Sequence, residues 1–418
     1  MNIKKILSNS TYQIVFALIS GLIFGAILKL FSEFSYVDFI LTNGILKLLG
    51  KGFISLIKMI VVPLVFVSII CGISSLGDSK KLGKIGLKTI ALFVITTIAG
   101  VIISLSLSYI IKPGYGTHII TSQDFVPKSN SKNFFDIILD MVPSNPIKSM
   151  CHGNLLQVII FSSFIGVSIG SLGKKAEILS NFFNVANECI LKIVSMIMKV
   201  APIGVFSLIS NMVYSTGGES LLKVLKLILT VLLGLILQVF IVYFCFYKLG
   251  TRLSFFKFLK NFAKVAEIAF STASSDASIP FEMQMMKNMG ISEPIYRFIL
   301  PLGATMNMTG TAIMQSACTV FISQLYGLPL SLNSLITIIA TAVFASIGTA
   351  GVPGAGTIML AMVVESVGLP VDGIAMIMGI DRILDMMRTP VNVLGDCVCT
   401  VLVSKSENCI DKEKYYKN

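Results

Sequence analysis

The chain has 418 residues, of which 55% are hydrophobic and only 13% charged, and its mean hydropathy is +0.87. That composition lies outside the soluble globular range, and the longest polar region, residues 114–154, is the size of a loop, so no separate soluble domain is expected. The net charge of +12 does not point to a nucleic-acid partner, because the basic residues cluster in alternate connections between apolar segments, a pattern of membrane topology.

Apolar windows predict six spans in the first part of the chain, at 14–30, 56–73, 90–111, 155–172, 193–213 and 227–247. Each approaches or exceeds the ~20 residues that cross hydrocarbon. Lys4 and Lys5 precede the first span, but no small-residue cleavage site follows it, so it is read as a retained helix and not a signal peptide. The other basic clusters are Lys80, Lys81, Lys84 and Lys88; Lys174 and Lys175; Lys248 to Lys264; and Lys405 to Lys417. The positive-inside rule puts these connections and both termini in the cytoplasm. Of the eight cysteines, Cys71, Cys245, Cys318, Cys397 and Cys399 sit in apolar segments without any CxxC, and are expected to be buried small hydrophobes. His118 and His152 lie in the polar stretch with no second ligand pair, so no metal centre is expected there.

From residue 253 onward the apolar pattern breaks twice, at STASSDASIP (271–280) and at SIGTAGVPGAG (346–356). Neither run continues a regular helix comfortably. Taken singly, the first has a less favoured alternative as a small-residue packing surface and the second as an external loop. Irregular backbone at membrane depth is tolerated only where protein buries it or it lines a watery cavity, so two breaks together mark one cavity. The short arms leading into them predict re-entrant helical hairpins, and a break in each of two corresponding units, 253–326 and 330–405, predicts inverted repeats. The expected fold is therefore an all-α polytopic membrane protein, with eight transmembrane helices plus two re-entrant hairpins.

The last span, GIDRILDMMRTPVNVLGD (379–396), carries Asp381, Asp385, Arg388, Thr389, Asn392 and Asp396 in one sector of about 100° at helical pitch. Ionisable groups inside a membrane cost at least ~2.5 kcal/mol each, so such a stripe faces a functional interior. Arg388 offers a fork for a carboxylate, Asp385 a partner for an ammonium, and Asn392 an amide that orients either. An amino acid with a second acidic group fits. The alternative is an internal Asp385–Arg388 pair that braces helices. Asp396 is left unpaired and must take a proton or hold a cation. PLGATMNMTGTA (301–312) again interrupts a span, and an unwound turn there would present carbonyl oxygens suited to alkali cations; alone it reads equally as a packing face.

In this order, the serine-rich tip, NMTGT, SIGTAGVPGAG and DRILDMMRTPVNVLGD resemble the dicarboxylate/amino acid:cation symporters over about 253–404. KMIVVPLVFVSII and APIGVFSLI extend a looser resemblance into the first half. The resemblance implies a homotrimer in which residues 1–250 are mainly scaffold, with the third and part of the sixth span touching the core. Residues 251–405, with both hairpins and spans seven and eight, would be a transport core that moves as an elevator, and 406–418 a cytoplasmic tail. It implies that the second hairpin is the extracellular gate. Carried over by position, Arg388 would hold the substrate side-chain carboxylate and Asp385 its amino group. Thr311, Asn392, Ser275 and the backbone at Val352 and Gly356 would hold the main-chain carboxylate and close the pocket, with Thr389 on the same stripe. One sodium site would use Asp396 with backbone oxygens of Gly303, Asn307 and Asn392, and another the backbone of Thr305, Ser346, Ile347 and Thr349 with Met308.

Four residues depart from the family pattern. Thr309 replaces the aspartate of NMDGT, and Phe93 stands where a tyrosine is usual, although Thr96 and Thr97 remain. Asp276 brings a carboxylate to the first tip, as in some proton-coupled relatives, and Pro390 removes a hydrogen bond to the Met386 carbonyl. The function expected is uptake of glutamate or aspartate with sodium, without another cofactor, protons being the competing coupling ion. A C4-dicarboxylate carrier would leave Asp385 unneutralised, and a neutral amino acid carrier would leave Arg388 without a partner. A serine hydrolase lacks a histidine inside any predicted span, and the resemblance implies an anion leak beside transport.

Overall fold

The computed structural model describes residues 10–31, 42, 44–74, 80–116, 142–216, 219–349, 351 and 354–417, and these are almost entirely helical. In the first part of the chain the helices are α1 (Ser10–Leu30), α2 (Lys47–Ser74), α3 (Lys80–Ile111), α4 (Pro146–Cys151), α5 (Leu155–Leu172), α6 (Glu177–Thr216), α7 (Glu219–Leu237) and α8 (Phe244–Thr251). A π-helical turn at Gln238–Tyr243 joins α7 to α8. Every span predicted before residue 250 falls on helix. Stretches long and apolar enough to cross a membrane are Lys84–Ile111, Gln157–Ile197, Leu222–Thr251 and Asp381–Ser406, with shorter apolar ones at Ile19–Leu30, Val62–Ser74, Leu332–Gly348 and Ala355–Ser366.

Helices α1, α2, α5 and α6 pack on one another as a bundle. Gly25 permits the α1–α6 crossing, since a Cβ there would stand 2.5 Å from the Ser210 carbonyl oxygen, and Ser210 Oγ donates to the Gly21 carbonyl at 3.2 Å. The GLIFG spacing of four places both glycines on the contacting face. Helices α3 and α7 instead pack on the later part of the chain.

That later part begins with a helical hairpin, α9 (Phe255–Thr272) and α10 (Ser275–Asn288). Ala273, left-handed at φ 51°, closes α9, and Ser274 caps α10 by accepting from the Ala277 amide at 3.3 Å. The serine run is thus the chemistry of a turn between two helices. Helices α11 (Glu293–Met306) and α12 (Thr309–Leu325) form one interrupted span whose break is Asn307–Met308. The second hairpin is α13 (Leu332–Gly348) and α14 (Ala355–Ser366), followed by α15 (Ile374–Met378) and α16 (Asp381–Ser406). Arms α10 and α14, with 14 and 12 residues, reach only about 18–21 Å, short of a ~30 Å hydrocarbon core.

Helix α16 is the axis of this half. Its most apolar window is 83% buried, against 33–44% for the other spans, and it touches α9, α10, α11 and α12. It runs unbroken through Pro390. The end of the chain is docked: α17 (Lys412–Lys417) buries Tyr415, whose hydroxyl pairs with that of Tyr247 at 2.6 Å and donates to the Ser254 carbonyl at 2.9 Å. Ile410 bridges antiparallel to Ile291, beside the turn between α10 and α11. The cysteine expectation holds for Cys318, Cys397 and Cys399, which are buried, but Cys245 faces outward and Cys71 is half-buried. Apolarity alone does not distinguish a side chain facing protein from one facing outward from a membrane helix.

Candidate functional site

The polar stripe of α16 folds into a network. Arg388 Nη2 and Nε donate to Asp385 Oδ1 at 2.8 and 3.1 Å, and the other Asp385 oxygen accepts from the Gly354 amide of the second hairpin at 3.0 Å. Arg382, placed just off the stripe by helical spacing, reaches the Thr272 carbonyl of the first hairpin at 3.3 Å. Thr357 of α14 donates to Asp381. Both hairpins are therefore held by α16, and Arg388 is 2% exposed with its Nη1 unbonded. Gly356 packs so close that any Cβ would strike the guanidinium. Thr389 is turned into its own helix, where its Oγ1 donates to the Asp385 carbonyl at 2.7 Å.

One helical turn further, Asn392 Oδ1 accepts from the Gly310 amide at 2.7 Å and the Thr311 amide at 3.4 Å, while its Nδ2 reaches Thr311 Oγ1 and Met308 Sδ, each at 3.2 Å. It serves as the missing cap of α12, satisfying amides that the break leaves without helical partners. Asp396, fully buried, accepts from Asn307 Nδ2 at 2.8 Å through Oδ1, and its Oδ2 has no partner. Asn307 Nδ2 also lies 3.5 Å from the Asn392 carbonyl. A side chain at Gly303 would overlap the Asp396 carboxylate, so backbone and carboxylate approach closely only because that position is glycine.

The first expected cation set, Asp396, Asn307, Asn392 and Gly303, is thus gathered around the Asp396 carboxylate, one oxygen of which has no hydrogen-bond partner. The second is more dispersed. Ser346 and Ile347 lie in the last turn of α13, which packs on α11, and the final carbonyls of a helix have no helical donors. Thr305 and Thr349 border one cavity, whereas Met308 and Thr349 border another. Thr309 occupies the departure from the family pattern with a neutral chain: its hydroxyl donates to Asn307 Oδ1 at 2.8 Å and shares a hydrogen bond with Thr97 at 2.7 Å, and Phe93 is buried.

A small pocket lies where these elements meet. It is lined by Ser275, Thr311, Gly356, Asp385, Arg388, Thr389 and Asn392, all substrate residues expected from the sequence, together with Ala273, Met308, Thr349 and Gly351. Val352 lies outside the described residues. The two hairpin tips are latched over it, Ser274 Oγ donating to the Gly351 carbonyl at 2.7 Å and the Asp276 amide to the same oxygen at 3.4 Å. Behind the tips a cavity of about 440 Å3 separates them from α2 and α6, with Asp276, Arg297, Ser68 and Asn187 on its walls. Sequence reasoning placed Asp381 on the polar stripe but missed its partner Thr357, and missed Glu282 altogether. The spacing of Ser275, Ser278, Glu282 and Met285 marks one buried helix face, a signal that was present in the chain.

Comparison with known proteins bears on this arrangement. The chain matches the model of the sodium:dicarboxylate symporter family over residues 11–406. It belongs to this family. The symporter is 34% identical over 411 residues to a proton/sodium-glutamate symport protein of Geobacillus stearothermophilus, covering 96% of each chain. It is 35% identical to a proton/glutamate-aspartate symporter of Escherichia coli K12, over 98% of this chain and 96% of that one. It is also 32% identical to a C4-dicarboxylate transport protein of Bacillus subtilis, over 98% and 96%. The symporter is accordingly a multi-pass membrane transport protein and not an enzyme.

Proposed function

We propose that this symporter imports an acidic amino acid, glutamate or aspartate, together with sodium. The observation that carries the reading is a single small pocket holding a buried guanidinium and a buried carboxylate three residues apart, with amide and hydroxyl groups on its other walls. A zwitterion with a second carboxylate complements both charges: Arg388 would pair with the side-chain carboxylate and Asp385 with the ammonium, with Ser275, Thr311, Thr389, Asn392 and the backbone at Val352 and Gly356 around the main-chain carboxylate. In the absence of substrate contacts the two groups satisfy each other, which lowers the cost of keeping them in the membrane interior. Sodium would be held by the unpartnered oxygen of Asp396 with the carbonyls of Gly303, Asn307 and Asn392. A second ion would lie among the carbonyls of Thr305, Ser346, Ile347 and Thr349 beside Met308. Relatives named for glutamate and aspartate support the substrate class.

The hairpins would be re-entrant, their short arms α10 and α14 meeting near the midplane. Helices α9 to α16 would travel as an elevator against the α1–α2–α5–α6 bundle, the second hairpin would gate the outer side, and three chains would assemble through that bundle. The start of α3, the start of α9 and the end of the chain come together through Lys88 with Glu407 and Lys257 with the Tyr416 carbonyl, which supports a common cytoplasmic side.

The test is uptake of labelled aspartate and glutamate into proteoliposomes under an imposed sodium gradient, compared with an imposed proton gradient, with and without excess succinate. Sodium-driven uptake that resists succinate is expected. Uptake driven by protons alone would remove sodium from the reading. Complete competition by succinate would assign the pocket to C4-dicarboxylates, the reading favoured by the third relative.

A further inference from the structure

Asp385 stands between two guanidinium groups, and one of them lies outside the pocket. Its Oδ1 takes Arg388, whereas Oδ2 accepts from the Gly354 amide and lies 3.8 Å from Nη1 of Arg382, one helical turn earlier on α16. The Arg382 side chain is 11% exposed, and its Nη2 donates at 3.3 Å to the carbonyl of Thr272, the last residue of α9. It is thus fixed from two sides, by Asp385 and by the negative end of the helix that leads into the first hairpin tip. Among the described residues, the charged side chains lining the pocket are Asp385 and Arg388, so Arg382 reaches Asp385 from outside it.

Arg382 changes the charge balance that a substrate meets. With Asp381, whose Oδ1 is 3.9 Å from Arg388 Nη2, the cluster holds two guanidinium groups and two carboxylates. A separation of 3.8 Å is too long for a direct hydrogen bond, so Arg382 acts on Asp385 through its charge. When a substrate carboxylate draws Arg388 away, Asp385 keeps Arg382 as a countercharge. A substrate without an ammonium then leaves no bare carboxylate, and a substrate with one gains less from Asp385 because a cation already stands beside it. Both effects weaken the preference for aminated acids. We infer that Arg382 is a positioning residue that sets how strictly the pocket requires an ammonium group on its substrate, by compensating Asp385 from outside the pocket.

The inference rests on the reading of Asp385 as the partner of a substrate ammonium, not on sodium as the coupling ion. Two substitutions separate charge from packing. Arg382→Gln retains an amide donor for the Thr272 carbonyl and loses the charge, whereas Arg382→Lys retains the charge.

The test measures displacement of labelled aspartate from the purified full-length protein in sodium chloride buffer, by unlabelled L-aspartate and by L-malate, which carries a hydroxyl where aspartate has its ammonium. In wild type malate should compete, more weakly than aspartate. Arg382→Gln should raise the ratio of the malate to the aspartate inhibition constant at least about tenfold, and Arg382→Lys should return it to within about threefold of wild type. An unchanged ratio in Arg382→Gln with aspartate binding retained would overturn the assignment, since a role confined to packing alters both constants together. A ratio raised equally in Arg382→Lys would do the same. Should Arg382→Gln fail to fold or to bind, wild type decides: no displacement by malate at about a thousandfold the aspartate constant is what an uncompensated Asp385 predicts, and it too overturns the assignment. Failure of the underlying reading looks different, because wild type would then bind no aspartate, and this assignment would fall with it.

Discussion

Arg388 combines a permanent charge, almost complete burial and an unbonded Nη1, while its other two nitrogens hold Asp385. A guanidinium in that position needs anionic company, and substrate would add to or replace Asp385. Arg388→Ala should weaken binding of aspartate at least about 100-fold, about 3 kcal/mol, as measured by calorimetry on purified protein. Micromolar binding retained in that variant would dismiss the proposed role. The charged stripe was legible in the chain because steps of three and four residues put its members on one side of a helix. Partner identities were not: that Asn392 caps α12 and that Asp385 also holds the Gly354 amide depend on which segments meet α16.

At the scale of elements, the interruptions are what the sequence announces most clearly. Glycine, serine and proline runs mark the tip of each hairpin and the Asn307–Met308 break, since each supplies a turn or a cap that a continuous helix forbids. The α1–α6 crossing is a second element-level feature, set by Gly25 against Ser210. Gly25→Leu should lower thermal stability in detergent by about 1–3 kcal/mol through overpacking. Gly52→Leu on α2, where a Cβ meets nothing within 4 Å, is the control that should leave the melting temperature near wild type. Equal melting of the two variants would show that the α1–α6 contact does not limit stability. Glu282 belongs to this scale as well: its helix-face spacing made it buried, but only the packing of α10 on α16 made it a carboxyl beside Cys397.

At the scale of the whole molecule, the cavity of about 440 Å3 lies between α2 and α6 on one side and the hairpin tips with α11 on the other. If the core slides against the bundle, a covalent bridge across that cavity must stop transport without emptying the pocket. A variant keeping Cys71 as its only native cysteine, with Phe298→Cys opposite it, should lose uptake when joined by a bifunctional thiol reagent, while aspartate binding stays within about twofold. Uptake that survives complete cross-linking would rule out sliding at this seam.

By itself the sequence determined the membrane class, the helical spans, the positions of the interruptions and the polar stripe, because each is a matter of composition or of spacing along one segment. Tertiary structure decided which polar atoms share a pocket, which carboxylates lack partners, and that the end of the chain docks on the first hairpin through Tyr415. The physical reason is that burial and hydrogen bonding join residues such as Glu282 and Cys397, which are 115 positions apart, and no periodicity within either helix encodes that meeting.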